Sequence, residues 1–208
     1  MSRMMRVPRR DPNEGEPTKT KLSKTMVVLV GTAALLFGVA TAAYASLPPG
    51  TTVTGKLKTG THMIFKGDID SVPITVTCTN FLAKGKVTSP ASNTEKLSAP
   101  PTISGCTDSS GGADTIKTFG TWELTIAKTS MTLLVPKDGA TFKSTILSSC
   151  TVTAAPSGSV KVVGVYNGKN TDTVTNASIP THGTGCTSTA AKSSATVVIS
   201  PAPGAPPW

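Results

Sequence analysis

From about residue 50 onward, apolar and polar side chains alternate in short runs, and this period of two limits the fold more than any other feature. A strand turns successive side chains to opposite faces, so alternation marks a sheet with one face buried. Val53, Gly55 and Leu57 alternate with Thr52, Thr54, Lys56 and Lys58. Val72, Ile74, Val76 and Cys78 share one parity, which aims Cys78 into a core, and Trp122, Leu124 and Ile126 share another face. Phe142, Ile146, Cys150 and Val152 keep a single parity if that strand runs unbroken. Residues 160–166 are apolar on both parities, which predicts a strand covered on both sides. The last strand is expected over residues 195–199.

Turn clusters separate these runs: Lys66-Gly67-Asp68, Ser109-Ser110-Gly111-Gly112, Lys137-Asp138-Gly139, Ser157-Gly158 and Asn167-Gly168. Asp138-Gly139 and Asn167-Gly168 are hairpin candidates, because Asp, Asn and Gly tolerate positive φ. No helical period is sustained past the apolar segment described below. Roughly ten short strands with frequent turns predict an all-β fold, a two-sheet immunoglobulin-like sandwich, with a small β-barrel as the alternative.

Residues 26–45 form an uncharged apolar run that follows Lys24 and closes on Ala43-Tyr44-Ala45. This is the anatomy of a secretory signal, a short apolar helix behind a basic leader, with cleavage expected between Ala45 and Ser46. Twenty apolar residues also suffice to span a bilayer, so the alternative is a protein anchored by residues 26–45. The expected organisation is a polar basic leader over 1–25, the signal core and cleavage region over 26–45, a β-domain over 50–200 and a Pro-rich tail over 201–208 that ends in Trp208 and cannot form sheet ladders.

Export makes the cysteines legible. Cys78, Cys106, Cys150 and Cys186 all follow the signal, and four cysteines in an oxidising compartment imply two bridges. Their separations of 28, 44 and 36 residues contain no C-x-x-C knuckle, which argues against zinc. Loop-closure entropy gives roughly 3.6 kcal/mol for a 28-residue loop and about 4.4 for a 72-residue one, a difference within the error of the chain-entropy model, and does not choose among the three pairings. A faint repeat does favour one pairing. Residues 75–79 resemble 149–153, and 104–107 resemble 184–187, so each half is expected to staple itself, Cys78 to Cys106 and Cys150 to Cys186.

Charge distribution bears on partners. The four arginines, Arg3, Arg6, Arg9 and Arg10, all sit in the leader. Residues 1–45 hold seven of the 20 basic and three of the 11 acidic groups, which leaves the remainder near +5. Without the planar arginine fork, and with lysines spread singly, nucleic-acid binding is not expected. The histidines, His62 and His182, lie in Thr-His contexts away from any nucleophile motif, and no catalytic residue, metal or cofactor is implied. Asp68 with Asp70, and Asp108 with Asp114, are the acidic clusters that could offer oxygen ligands to calcium; solvated turn acids are the simpler expectation. Asn176-Ala177-Ser178 is a formal glycosylation sequon that a bacterial protein would leave unused.

The series Gly105-Cys106-Thr107, Gly120-Thr121-Trp122-Glu123-Leu124, Cys150 followed by Pro156-Ser157-Gly158-Ser159-Val160, and Gly185-Cys186 resembles a group of small secreted actinobacterial proteins, loosely similar to the secreted protein activator of alkane oxidation. The resemblance covers about residues 50–200 and implies a secreted or cell-surface β-domain; it transfers no catalytic residue, and the long polar leader departs from it. The expected function is a non-catalytic structural protein of the bacterial envelope, secreted or at the cell surface. A binding module for a hydrophobic or polysaccharide ligand is the first alternative, and a secreted inhibitor or small hydrolase the second. Association with cell wall or a hydrophobic surface follows from either of the first two, and membrane contact only from an uncleaved signal. Intact-mass analysis of the native product is expected to show a chain beginning at Ser46 with two bridges; a product that retains residues 26–45 would establish the anchored alternative.

Overall fold

The computed structural model describes residues 47–89, 94–97, 99–127 and 129–201. The leader, the apolar run, the cleavage residues Ala43, Ala45 and Ser46, and Trp208 lie outside them. The described chain is all β, and no helix in it is long and apolar enough to cross a membrane.

Fourteen strands among the described residues fall into eight tracks that run alternately up and down. β1 (Thr52–Leu57) leads upward into β2 (Met63–Ile69), and β3 (Val72–Ser89) returns without a break. β4 (Thr94–Leu97) and β5 (Thr102–Asp108) rise, and β6 (Ala113–Thr118) and β7 (Glu123–Ile126) descend. β8 (Ser130–Val135) and β9 (Ala140–Ser144) rise, then β10 (Thr151–Ala154) and β11 (Val160–Tyr166) descend. β12 (Thr171–Ile179) and β13 (Thr181–Thr184) rise, and β14 (Ala191–Pro201) comes down as one strand.

Each track is antiparallel to the next, and the ring closes. Eight strands form the lower ring in the order β1, β14, β12, β11, β8, β7, β4, β3 and back to β1. Above it, β2, β3, β5, β6, β9, β10 and β13 follow one another, taking the tracks in the reverse of the order just given. β14 pairs with β2 from Ser194 with Ile64 to Lys192 with Lys66, and residues 187–189 carry the closure further up: Ile69 bridges Ser188, the Asp70 amide donates to the Thr187 carbonyl at 3.1 Å, and the Thr189 amide to the Asp68 carbonyl at 3.1 Å. On the other side the Thr181 hydroxyl donates to the Ser188 hydroxyl and the Thr189 carbonyl.

The architecture is therefore a closed eight-stranded up-and-down barrel with its strands continued upward, and it corrects the expected immunoglobulin-like sandwich in favour of the barrel alternative. Alternation specifies one buried face per strand but says nothing about whether a sheet meets itself. Here Val53 pairs with Pro201 and Leu57 with Val197, so the first and last strands join and no second sheet is needed. Pro201, expected in the tail, ends β14; its missing amide is tolerated at a strand terminus.

Several local expectations change for the same reason. Asp138-Gly139 is not a hairpin but an interruption within a track, between β8 and β9, as Ser157-Gly158 is between β10 and β11. These breaks lie side by side, joined by bonds from the Phe119 amide to the Gly139 carbonyl at 2.8 Å, from Asp138 to Ala155 at 3.1 Å and from Ala155 to Pro180 at 2.8 Å. Asn167-Gly168 does turn between β11 and β12, where the Asn167 Oδ1 accepts from the amides of Lys169, Asn170 and Thr171. Lys66-Gly67-Asp68 lies inside β2, and the turn falls at Asp70 and Ser71, both with positive φ (50° and 66°), as a two-residue hairpin of the favoured twist requires. The strand proposed through Phe142 and Val152 stops at Ser144 and leaves Ile146 exposed, while Phe142 and Val152 face each other across β9 and β10. β11 is covered on one side only: Val162 and Tyr166 point inward, whereas Val163 and Val165 are 58% and 65% exposed.

The interior holds two apolar clusters, one per ring, with Phe81 and Val197 packed against both. Trp122 anchors the lower cluster, and its Nε1 donates to the Phe119 carbonyl at 2.9 Å. Cys78 and Cys106 face each other on β3 and β5 inside the upper cluster and are bridged; Cys150 and Cys186 are bridged at the top between the strands β10 and β13. The glycine before the second cysteine of each bridge has a steric reason. Gly105 and Gly185 sit at φ of 64° and 79°, and a Cβ there would come within 2.1 Å of the Thr79 hydroxyl and 2.2 Å of the Ser149 carbonyl oxygen. Replacing Cys78 and Cys106 together by Ala is expected to reduce the unfolding free energy by roughly 2–5 kcal/mol in guanidinium titrations; an unchanged midpoint would contradict this role.

Candidate functional site

The two clusters do not fill the barrel. A cavity of about 190 Å³ runs along the interior and touches both rings. Its wall is almost wholly apolar, from Val53, Leu124 and Val162 in the lower ring to Met63, Ile103 and Phe142 in the upper. Small residues shape this wall. Gly55 and Ala83 face each other across β1 and β3; a Cβ on Gly55 would come within 3.3 Å of the Val197 Cγ1, so glycine lets the wall pack there, and the short side chain of Ala83 borders the space.

Lys66 and Asp68 also border the cavity in the upper ring, but one charged side chain of the wall is fully buried. Asp172, the second residue of β12, is 1% exposed, lies among the cavity residues, and neither carboxylate oxygen has a hydrogen-bond partner. Its strand neighbours are Tyr166 on β11 and Val197 on β14, and Val174 continues the same inward face. The Tyr166 hydroxyl donates to the Lys169 carbonyl. Burial pushes the Asp172 carboxyl up to about 7 from its ordinary 3.8. Charge patterning in the sequence passes over this residue, yet a signal existed: in Thr171-Asp172-Thr173-Val174 the Asp occupies the apolar parity.

The acidic residues singled out from the sequence serve other purposes. Asp70 Oδ1 accepts from the Thr187 amide at 2.8 Å and its hydroxyl at 3.0 Å, and those bonds hold the carboxyl below its usual range. Asp108 is buried rather than a solvated turn acid. Its Oδ1 accepts from the Ser110 and Gly112 amides at 2.8 and 3.0 Å, and its Oδ2 from the Ser144 hydroxyl at 2.6 Å. Burial raises its pKa, but the bonds from Ser144, Gly112 and Ser110 outweigh that and keep it ionised. Asp114, opposite Cys106, is pushed up to about 7, first by burial and then by the Asp108 charge. Asp108 therefore braces the β5–β6 turn, and its lone pairs are already committed. Among the described residues no three His, Cys, Asp or Glu side chains are grouped to hold a metal. His62 precedes β2 and His182 lies on β13; both are exposed and neither lines the cavity. Asn176 of the sequon sits at a bulge in β12 with φ of 49°.

In comparisons with known proteins, no family model matches this chain, and no curated protein or solved structure matches it. The likeness carried by the Gly-Cys pairs and the Trp122 segment rests on those residues alone.

The Asp172 carboxyl ionises near 3.8 in the unfolded chain and near 7 in the fold, so the unfolded state loses its proton first as pH rises. Its contribution to stability is full below about pH 4, falls between pH 4 and 7, and is flat above. Asp172→Asn is expected to raise the unfolding free energy at pH 8 by roughly 1–3 kcal/mol and to change it little at pH 4, with Asp70, Asp108 and Asp114 left to supply the remaining pH dependence. Equal effects at both pH values in denaturant titrations would refute the buried, unpaired state of this carboxyl.

Proposed function

We propose that this protein is a non-catalytic extracellular binding module that carries a small apolar ligand inside its barrel. The carrying observation is the cavity. Interiors ordinarily pack as densely as organic crystals, with few voids larger than a water molecule. At about 24 cal/mol per Å³, an enclosed, empty apolar cavity of about 190 Å³ would cost on the order of 4–5 kcal/mol, which sets the upper bound for this space. A barrel that only had to be rigid would fill this space with a larger side chain at Ala83. Eight-stranded barrels have interiors of the size that either side chains or one small ligand can occupy. An apolar cavity of about 150 Å³ already admits benzene, which sets the scale of the occupant.

This reading takes the hydrophobic-ligand alternative ahead of the purely structural envelope role, for which no particular site speaks. It also sets aside a polysaccharide, since Trp122 and Tyr166 face the interior and offer no external stacking platform. The apolar run over 26–45 and the two bridges support a position at or beyond the cell surface. Toluene and hexane near saturation are expected to raise the thermal midpoint by about 5–10 °C, by preferential binding to the folded state. Ala83→Leu should fill the space and weaken both by at least about tenfold while preserving the β spectrum. A midpoint that ignores every apolar solute would overturn the proposal.

A further inference from the structure

We infer that the cavity selects an apolar ligand bearing one amine, whose ammonium group is held by Asp172; this inference rests on the carrier reading above. The geometry supplies the reasons. Asp172 is 1% exposed, both its oxygens lack partners, and it belongs to the cavity wall. Burial of an unpaired carboxyl is among the costliest choices a core can make, and it is tolerated where a partner completes it. Two residues along the same inward face the chain uses Val174, so an apolar side chain suits this wall. Tyr166 and Val197 flank Asp172 across the sheet and bring no positive charge. Among the described residues the ion pair is Lys96 with Glu123, which is remote in kind: it lies on partly exposed side chains between β4 and β7. Lys66, the cation in the cavity wall, belongs to β2 in the upper ring and is exposed. The missing partner of Asp172 is therefore a donor that arrives with the ligand. An alkylammonium offers three N–H donors to two free acceptor oxygens and forms a charge-assisted bond. A fatty carboxylate would set like charges together in a low-dielectric interior and is excluded.

The test uses hexylamine, hexanol and hexanoate, each titrated at pH 7.5 against wild type and Asp172→Asn in competition with toluene. Wild type is expected to bind the amine at least about tenfold more tightly than the alcohol, a preference in the range of a charge-assisted hydrogen bond, and to reject the acid. Asp172→Asn should hold hexanol within about threefold of wild type and lose the amine preference. Equal affinity for amine and alcohol, tightest binding of hexanoate, or an amine preference that survives the substitution would overturn the inference and leave the apolar carrier standing. If none of the three binds and toluene also fails, both fall. Should Asp172→Asn not fold, carbon NMR of the wild-type Asp172 carboxyl decides: the amine must lower its titration midpoint while hexanol does not, and an unmoved midpoint counts against the inference.

Discussion

Everything inside this molecule depends on the seam between its first and last strands. β1 and β14 pair from Val53 with Pro201 to Leu57 with Val197, across most of the chain's described length. Without that ladder both strands would be edges with unpaired amides and carbonyls, open to pairing with another chain. The lower interior would also lose cover, because Val53 and Ile199, each 2% exposed, sit on the two strands of the seam. Closure turns a curved sheet into a container. It also explains why the inward alternation persists on every track while the outer face carries Thr, Ser and Lys.

The upper end is closed by different means. Its ring is completed by the start of β14, which pairs with β2 over three residues, and beyond that by a short segment around Ser188, and side-chain bonds reinforce the joint: Asp70 with Thr187, Thr189 with Asp68, Thr181 with Ser188. Cys150–Cys186 ties the same end covalently, and Asp108 braces the neighbouring turn through Ser144. The two bridges fit an oxidising extracellular environment. Covalent and polar locks stand where the hydrogen-bond ladder is shortest.

Much of the local structure was legible in the residues. The inward parity of Ile74, Val76 and Cys78, and of Trp122, Leu124 and Ile126, is what period-two alternation requires, and the paired Gly-Cys segments pointed to the bridges that form. Turn chemistry was read correctly as a change in backbone path but not as to its kind. Asp138-Gly139 bends a track without reversing it, because the signal for positive φ is the same in a hairpin and in a mid-strand interruption. Barrel closure stood only as the alternative to a sandwich, since it depends on pairing between residues nearly a chain length apart. Asp172 was hidden for a related reason: whether a strand acid faces solvent or the interior depends on register, and only its shared parity with Val174 betrayed it.

The site follows from the container. A closed ring with a small residue at Ala83 leaves interior space, and Asp172 adds a buried carboxyl without a partner to its wall. All of this presupposes the seam, so the most direct measurement is nuclear Overhauser contact and amide exchange across it. The account predicts cross-strand contacts between Thr54 and Ser200 and between Lys56 and Val198, with β1 and β14 amides protected as strongly as those of β3. Absent contacts, with β1 and β14 exchanging as fast as free edges, would show an open sheet and contradict it.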